Sequence, residues 1–237
     1  MFFKANNIYP TMALNRPHIP FHVKVLLGHG KGVKSFYNKL IAAYSQRPTS
    51  ESKWYSQLKK QFDDIAWRVT YKICFKAILD NSYIWFQFRL LHKILGTNDY
   101  LYKLKIQDSN YCGICGLEEE TDTHLFMTCK KVLELWNNIE TWIQRKLSIH
   151  IEIPQHGLIM GYQEVDENFW PLNFVLLITR YYIFNCSRNK SRLDIFFLQK
   201  IVKEKYHEQK MLSVLNGTSS LFNKRWSHWN MLFNDIN

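Results

Sequence analysis

Cys112-Gly-Ile-Cys115-Gly-Leu-Glu-Glu-Glu-Thr-Asp-Thr-His124-Leu-Phe-Met-Thr-Cys129 carries the densest chemistry in the chain. Two residues separate the first two cysteines, eight separate Cys115 from His124, and four separate His124 from Cys129. Three thiolates and one imidazole are the donor set of a tetrahedral zinc site, with bonds of about 2.0–2.3 Å. The two-residue gap lets Cys112 and Cys115 hold one ion from a single tight turn, and Gly113 and Gly116 stand where such a turn needs a free backbone. The stretch therefore reads as one zinc-pinned Cys3His loop, with Cys112, Cys115, His124 and Cys129 as ligands of one Zn2+.

All four coordination positions are then filled by protein, so no water position stays open and the zinc is structural rather than catalytic. Three thiolates also leave the ion with net negative charge, a poor Lewis acid beside Glu118, Glu119, Glu120 and Asp122. Two other readings compete. A redox Cys-x-x-Cys pair leaves His124 and Cys129 unexplained and lacks a thioredoxin-like βαβ pattern; the other is a chance grouping. His124 and Cys129 are five apart, about 140° around an α-helix, so they do not share one helical face. The next helix is expected to begin near Cys129, with His124 on the approach turn and Thr128 as a cap.

Outward from the loop the pattern is helical. Downstream, Val132, Leu133, Leu135, Trp136, Ile139, Trp142, Ile143 and Leu147 trace a long amphipathic helix. Residues 154–167, with Gly157 and Gly161, read as a linker, and 169–186 as a buried helix. A last helix is expected from Ser191, where Ser191-x-x-Asp194 fits a capping box, to Leu215, with Gly217 ending it. Upstream, Ser50 or Ser52 caps a helix with Trp54, Tyr55 and Leu58. Asp63 and Asp64 start another, with Ile65, Trp67, Val69, Ile73 and Ile78. Asp80-Asn-Ser82 caps a third, on which Ile84, Trp85, Phe88, Leu91, Ile94 and Leu95 mark one apolar face, and Thr97 caps a short fourth. Residues 1–35 are rich in Pro and Gly; Phe21 to Leu27 alternates as a short strand does, and a helix is expected over 33–45. The fold class is mainly α, in three parts: a basic N-terminal segment, 1–50; a helical zinc-binding domain, 51–150; and a helical extension with a basic helix, 151–237.

Of 237 residues, 46% are apolar and 16% aromatic, a globular composition able to bury a core. Five cysteines form no disulfide framework; Cys74 and Cys186 lie in apolar helical segments as small buried hydrophobes. This suits a reducing, intracellular compartment, nucleus or cytoplasm. The N-terminus lacks the apolar run of a signal peptide, and the longest apolar stretch, Phe174 to Phe184, is interrupted by Arg180 and too short to span a bilayer, so no membrane partner is expected.

Net charge is +11 and uneven. Residues 1–50 hold seven Lys/Arg and no acid, whereas 111–150 hold four basic and six acidic residues. A surplus outside the loop suggests a polyanionic partner, RNA or DNA, against the plainer reading of a merely basic protein. The candidate contacts are Lys130, Lys131, Arg145 and Lys146 after the cluster, and Arg180, Arg188, Lys190, Arg192, Lys200 and Lys203 further on. Lys24, Lys31, Lys34 and Lys39 add an N-terminal set. For any single lysine a solvated helix face is the simpler account. Phe62-Asp-Asp64 falls short of the polymerase motif, because Gln61 holds its aromatic position. Gly28-His-Gly-Lys-Gly32 falls short of a phosphate loop, because Val33 holds its second glycine position. No spacing argues for a catalytic set.

The chain from Gly32 to Trp142 resembles the C-terminal region of the reverse transcriptase polyprotein of LINE-type (non-LTR) retrotransposons. The resemblance rests on Lys31-Gly-Val-Lys-Ser-Phe-Tyr-Asn-Lys-Leu40, on Trp54 and Trp67, and on Trp85-Phe-x-Phe-x-x-Leu-Leu-His-Lys-Ile-Leu-x-Thr97. It rests most on Cys112-x-x-Cys115…Glu120-Thr-x-x-His124-Leu-Phe-x-x-Cys129 followed by Trp136, which is similar to that family's reverse transcriptase zinc-binding domain. The resemblance implies a non-catalytic module that binds RNA or DNA, follows a reverse transcriptase domain, and supports target-primed reverse transcription. The alternatives are a structural or protein-interaction module, or a decayed element fragment, in which the zinc only stabilises the fold.

Overall fold

Trp170–Asn189 is a helix of twenty residues whose apolar side chains point in every direction. Leu172, Phe174, Val175, Leu176, Leu177 and Ile178 are all buried, and a helix apolar all round must sit inside other elements. It is the central rod of the fold. The computed structural model describes residues 47–163 and 169–233. The chain divides into two compact units, Met1–Arg47 and Pro48–Asn237. Residues 51–150 and 151–237, separate domains in the sequence reading, lie within the second unit. The strand expected over 21–27, the helix expected over 33–45 and the N-terminal lysines lie outside the described residues.

The described elements are helical. They are α1 (Thr49–Leu58), α2 (Asp64–Ala77), α3 (Asn81–Leu91), α4 (Asn98–Lys103), a π-helical turn (His124–Thr128), α5 (Lys130–Leu147), α6 (Gly157–Met160), α7 (Trp170–Asn189), α8 (Ile195–Leu215), α9 (Ser219–Trp226) and a 3-10 turn (Asn230–Leu232). The only strand-like feature among them is one antiparallel bridge, Tyr111 to Glu119. No helix among the described residues is long and apolar enough to cross a membrane.

Local chemistry accounts for the starts. Asp63 accepts from Ala66 N at 2.7 Å to open α2, Asp80 from Ser82 N at 2.9 Å to open α3, and Thr97 from Tyr100 N to open α4. The capping box expected at Ser191 is displaced: Asp194 is itself the N-cap of α8, accepting from Phe196 N at 2.7 Å and Phe197 N at 3.1 Å. Gly217, at φ +65, follows the end of α8 as expected.

Packing overturns two expectations. On α3 the buried residues are Tyr83, Phe86, Gln87, Leu90 and Leu91, whereas Trp85 is 62% and Phe88 41% exposed. Both sides of α3 are apolar, so periodicity offers two candidate faces, and α2 and α7 take the one carrying Phe86. The linker expected from 154 to 167 instead holds α6, whose Leu158, Ile159 and Met160 are all buried. Gly161 leaves that helix at φ +84, where a Cβ would stand 2.8 Å from Asn173 Oδ1 and 2.9 Å from Ile73. Asn173 locks the exit, accepting from Tyr162 N at 2.7 Å and donating to Tyr162 O at 2.8 Å.

Candidate metal centre

The Cys112–Cys115 turn is the tip of a small hairpin. Cys112 N donates to Glu118 O at 2.7 Å, Glu120 N to Asn110 O at 2.7 Å, and Gly116 N closes the turn onto Cys112 O at 2.8 Å. Gly116 takes φ +72, which a residue with a Cβ adopts only with strain. The other two ligands come from the π-helical turn. Cys129 N donates to His124 O at 2.9 Å, an i to i+5 bond. That wider turn answers the α-helical objection to the pair: five residues at the α-helical pitch point apart, but a single π turn brings His124 and Cys129 to one side. Cys129, not Thr128, then becomes the N-cap of α5.

One ligand atom from each of Cys112, Cys115, His124 and Cys129 lies within 4.8 Å of the others. Ideal tetrahedral zinc with thiolates places its donors about 3.8 Å apart, so a small contraction closes the shell. Cys112, Cys129 and His124 are buried, and Cys115 is half-buried. The Cys112 thiol is pushed up, first by its hydrogen bond to Cys129 and then by burial, while the same bond pulls Cys129 down. Two sulfurs that share one proton are sulfurs a divalent cation can hold as thiolates.

The histidine is set from behind. Nε2 lies 3.4 Å from Cys115 Sγ, inside the cluster, and Nδ1 lies 3.2 Å from Glu118 Oε2. With Nε2 on the metal, Nδ1 carries the proton and donates to the carboxylate, the arrangement that fixes ring orientation and raises ligand basicity. His124 N also donates to Thr121 Oγ1 at 3.0 Å, and Thr128 Oγ1 lies 3.4 Å from Nδ1.

Within the acidic run Glu118–Asp122 the fold gives each carboxylate its own task. Glu119 accepts from Asn110 Nδ2 at 2.9 Å. Asp122 meets Lys93 Nζ at 3.3 Å, and that ammonium lies 3.1 Å from the centroid of the Trp54 ring and also bonds Gln57, tying α1 to the loop. Burial pulls Lys93 down to about 8, against the opposing pull of Asp122.

Glu120 is 0% exposed and accepts from Asn98 N at 3.0 Å, Asn98 Nδ2 at 3.3 Å, Gly113 N at 2.7 Å and the Ser187 hydroxyl. One carboxylate thus joins the start of α4, the cysteine turn and the end of α7. Gly113 packs so closely on Ser187 that a Cβ would lie 2.6 Å from its Oγ. From the other side Lys131 donates to Ile114 O at 3.0 Å, and Trp136 Nε1 donates to Phe126 O at 3.0 Å. Phe126 meets Phe86 of α3 edge-on, so the flanking Leu125-Phe126 and Trp136 are core residues that seat the cluster. Glu118, Glu120 and Ser187 were not among the sequence-derived site residues. Glu120 had a signal, the Glu-Thr-x-x-His spacing, whereas Ser187 had none.

The ten candidate phosphate contacts fall into distinct places. Lys130 and Lys131 open α5, and Arg188 and Lys190 close α7; all four are exposed and flank the cysteine turn through the Lys131–Ile114 and Ser187–Gly113 contacts. Arg188 donates to Gly96 O at 3.4 Å, and Arg192 follows on the surface. Arg145 and Lys146 lie in the last turn of α5, beside the start of α8. Lys200, exposed and 4.0 Å from Glu204, and the half-buried Lys203 lie along α8.

Arg180 is a correction. It is 0% exposed, midway along the central helix, with Nη1 at 3.4 Å from both Gly157 O and Leu158 O, so no phosphate on the surface can reach it. Burial lowers its pKa to about 9. A charge in an otherwise apolar helix reads as exposed in the sequence, and only packing shows otherwise.

No curated protein matches the chain. Residues 32–136 match the family model described as zinc-binding in reverse transcriptase, a span that ends at Trp136 and contains the whole cluster. The Cys3His set, the histidine with its carboxylate and the matched span agree: residues 32–136 carry a reverse transcriptase zinc-binding domain whose cluster fits one structural zinc.

Proposed function

We propose that the chain is a non-catalytic, zinc-containing module that binds RNA or DNA. In this reading it derives from the C-terminal region of a LINE-type (non-LTR) retrotransposon reverse transcriptase, acts inside the cell in the nucleus or cytoplasm, and supports target-primed reverse transcription beside a reverse transcriptase domain. The observation that carries it is the placement of Lys130, Lys131, Arg188 and Lys190 around the clasp. The zinc hairpin holds the start of α5 against the end of α7, and these four cations are exposed beside it, with Lys131 and Arg188 also donating to Ile114 O and Gly96 O, while Glu120 is buried within the clasp. Contacts of this kind position a phosphate backbone without reading sequence. Four to five such contacts on a single strand give a slope of log affinity against log salt of about −3. Titration of the zinc-loaded protein with a short RNA and a short DNA, each at several salt concentrations, measures it. A slope near zero for both refutes the reading.

A second reading has its own observation. Leu79 and Leu221, both large and exposed, line one shallow depression with Ile78 and Phe222. Exposed apolar side chains gathered this way are typical of a protein-interaction surface, here for a reverse transcriptase domain. Co-sedimentation with that purified domain, lost in Leu221→Asp, supports it; no co-sedimentation of the wild type rejects it.

A further inference from the structure

Phe196 is 77% exposed, on the first turn of α8, although the helix has a buried side available to it. It faces the last two turns of α5 across a groove of about 380 Å³, within the size range of ligand sites. Trp142 lies along the groove, half-buried, with Arg145 and Lys146 beside it and Asn138 and Gln199 at the margins. None of the lining residues is acidic. The nearby carboxylate of Asp194 accepts from the amides of Phe196 and Phe197. Among the described residues the side chains of Arg145, Asn138 and Gln199 make no hydrogen bond or ion pair.

An exposed phenyl ring and a half-buried indole beside cations, with no acid lining the site, suit a partner that has both a flat π-surface and a negative charge. A nucleotide in a single strand offers both; a duplex offers its phosphates and hides its base faces. An acidic peptide would match the cations and leave Phe196 uncovered. We propose that this groove, between the C-terminal end of α5 and the first turn of α8, seats one unpaired nucleotide of an RNA or DNA strand. Its base stacks on Phe196 and Trp142, and Arg145 takes the adjoining phosphate. The inference rests on the nucleic-acid reading above and gives it a strandedness: the cations at the clasp hold backbone of any kind, and the groove favours unpaired bases. It lies beyond the matched span, which ends at Trp136.

The test uses the zinc-loaded full chain and three probes of equal length: an oligouridylate, an oligothymidylate and a mixed-sequence DNA duplex. Fluorescence anisotropy gives affinity and salt slope for the wild type, Phe196→Ala and Arg145→Gln. Both side chains are exposed, so both variants fold as the wild type does, and circular dichroism checks this. Phe196→Ala is expected to weaken single-strand binding about 5- to 100-fold, the loss typical of one stacked base, with the salt slope and duplex binding unchanged. Arg145→Gln lowers the single-strand slope by about one. The RNA and DNA arms show which strand the groove takes. Wild-type affinity in Phe196→Ala, or an equal loss for strand and duplex, overturns the groove and leaves the clasp reading standing. Salt-independent binding by the wild type, or none, overturns both.

Discussion

Gly113→Ala places one methyl group where the zinc hairpin meets the central helix. The new Cβ would stand 2.6 Å from Ser187 Oγ, 2.9 Å from the Ser187 carbonyl carbon, and closer still to its oxygen. The hydroxyl can rotate away, but the carbonyl belongs to α7 and moves only with the helix. The hairpin must therefore lift. Overpacking of a tight interface costs about 1–3 kcal/mol. Lifting also stretches the bonds that Glu120 accepts from Gly113 N and the Ser187 hydroxyl. A buried carboxylate deprived of donors adds about 1–3 kcal/mol. Together they predict a loss of about 2–6 kcal/mol, which for a domain of this size lowers Tm by roughly 4–24 °C. Zinc is retained, since no ligand changes, but a chelator removes it faster because the hairpin no longer leans on α7. Gly116→Ala is the control: its Cβ would meet nothing within 4 Å, and only its φ of +72 is strained, so the cost stays near ~1 kcal/mol. Thermal unfolding of both variants in excess zinc, with zinc release timed by a chromogenic chelator, makes the comparison. A Gly113→Ala protein that melts with the wild type, or no lower than Gly116→Ala, refutes the close packing of hairpin on α7 and with it the proposed role of the clasp.

Two further outcomes follow from the same geometry. Cys112→Ser should release the zinc and loosen both neighbours of the hairpin, because metal binding and local folding are linked. Elemental analysis should read close to one zinc per wild-type chain and far less in the variant, and hydrogen exchange should quicken at α4 and at the end of α7; a wild type purified without zinc contradicts the site. Arg180→Met removes a buried guanidinium whose Nε and Nη2 have no protein partner, at the expense of two long hydrogen bonds. Replacing a buried charge by an apolar side chain of similar length is often neutral or stabilising. Denaturant unfolding is expected to shift by less than about 1.5 kcal/mol or to favour the variant, with nucleic-acid affinity and salt slope unchanged; a reduced slope would return Arg180 to the phosphate contacts.

The ligand set was legible in the chain because metal chemistry is a property of residue type and spacing. Four soft donors in two close pairs have few other uses. The helix starts at Asp63, Asp80 and Thr97 were legible too, since an N-cap is a bond between near neighbours. The capping signal at Ser191 misled by a few residues because Asp194 could serve as either end of a capping box, and the backbone amides of Phe196 and Phe197 chose it as the cap.

What only the tertiary structure decided is everything that depends on which surfaces meet. α3 carries apolar residues on both sides, and the choice of Phe86 over Trp85 as the buried one belongs to α2 and α7. Arg180 is inside because its helix is the central one. The π turn that turns His124 and Cys129 toward each other is a local feature with no local signature in the residue pattern. Glu120 and Ser187 are 67 positions apart, and nothing in either segment announces the other. The sequence by itself determined that zinc has a place here, because ligand chemistry is local. Where that zinc site presses, and which cations it leaves facing outward, was decided by burial, which is set by the whole chain at once.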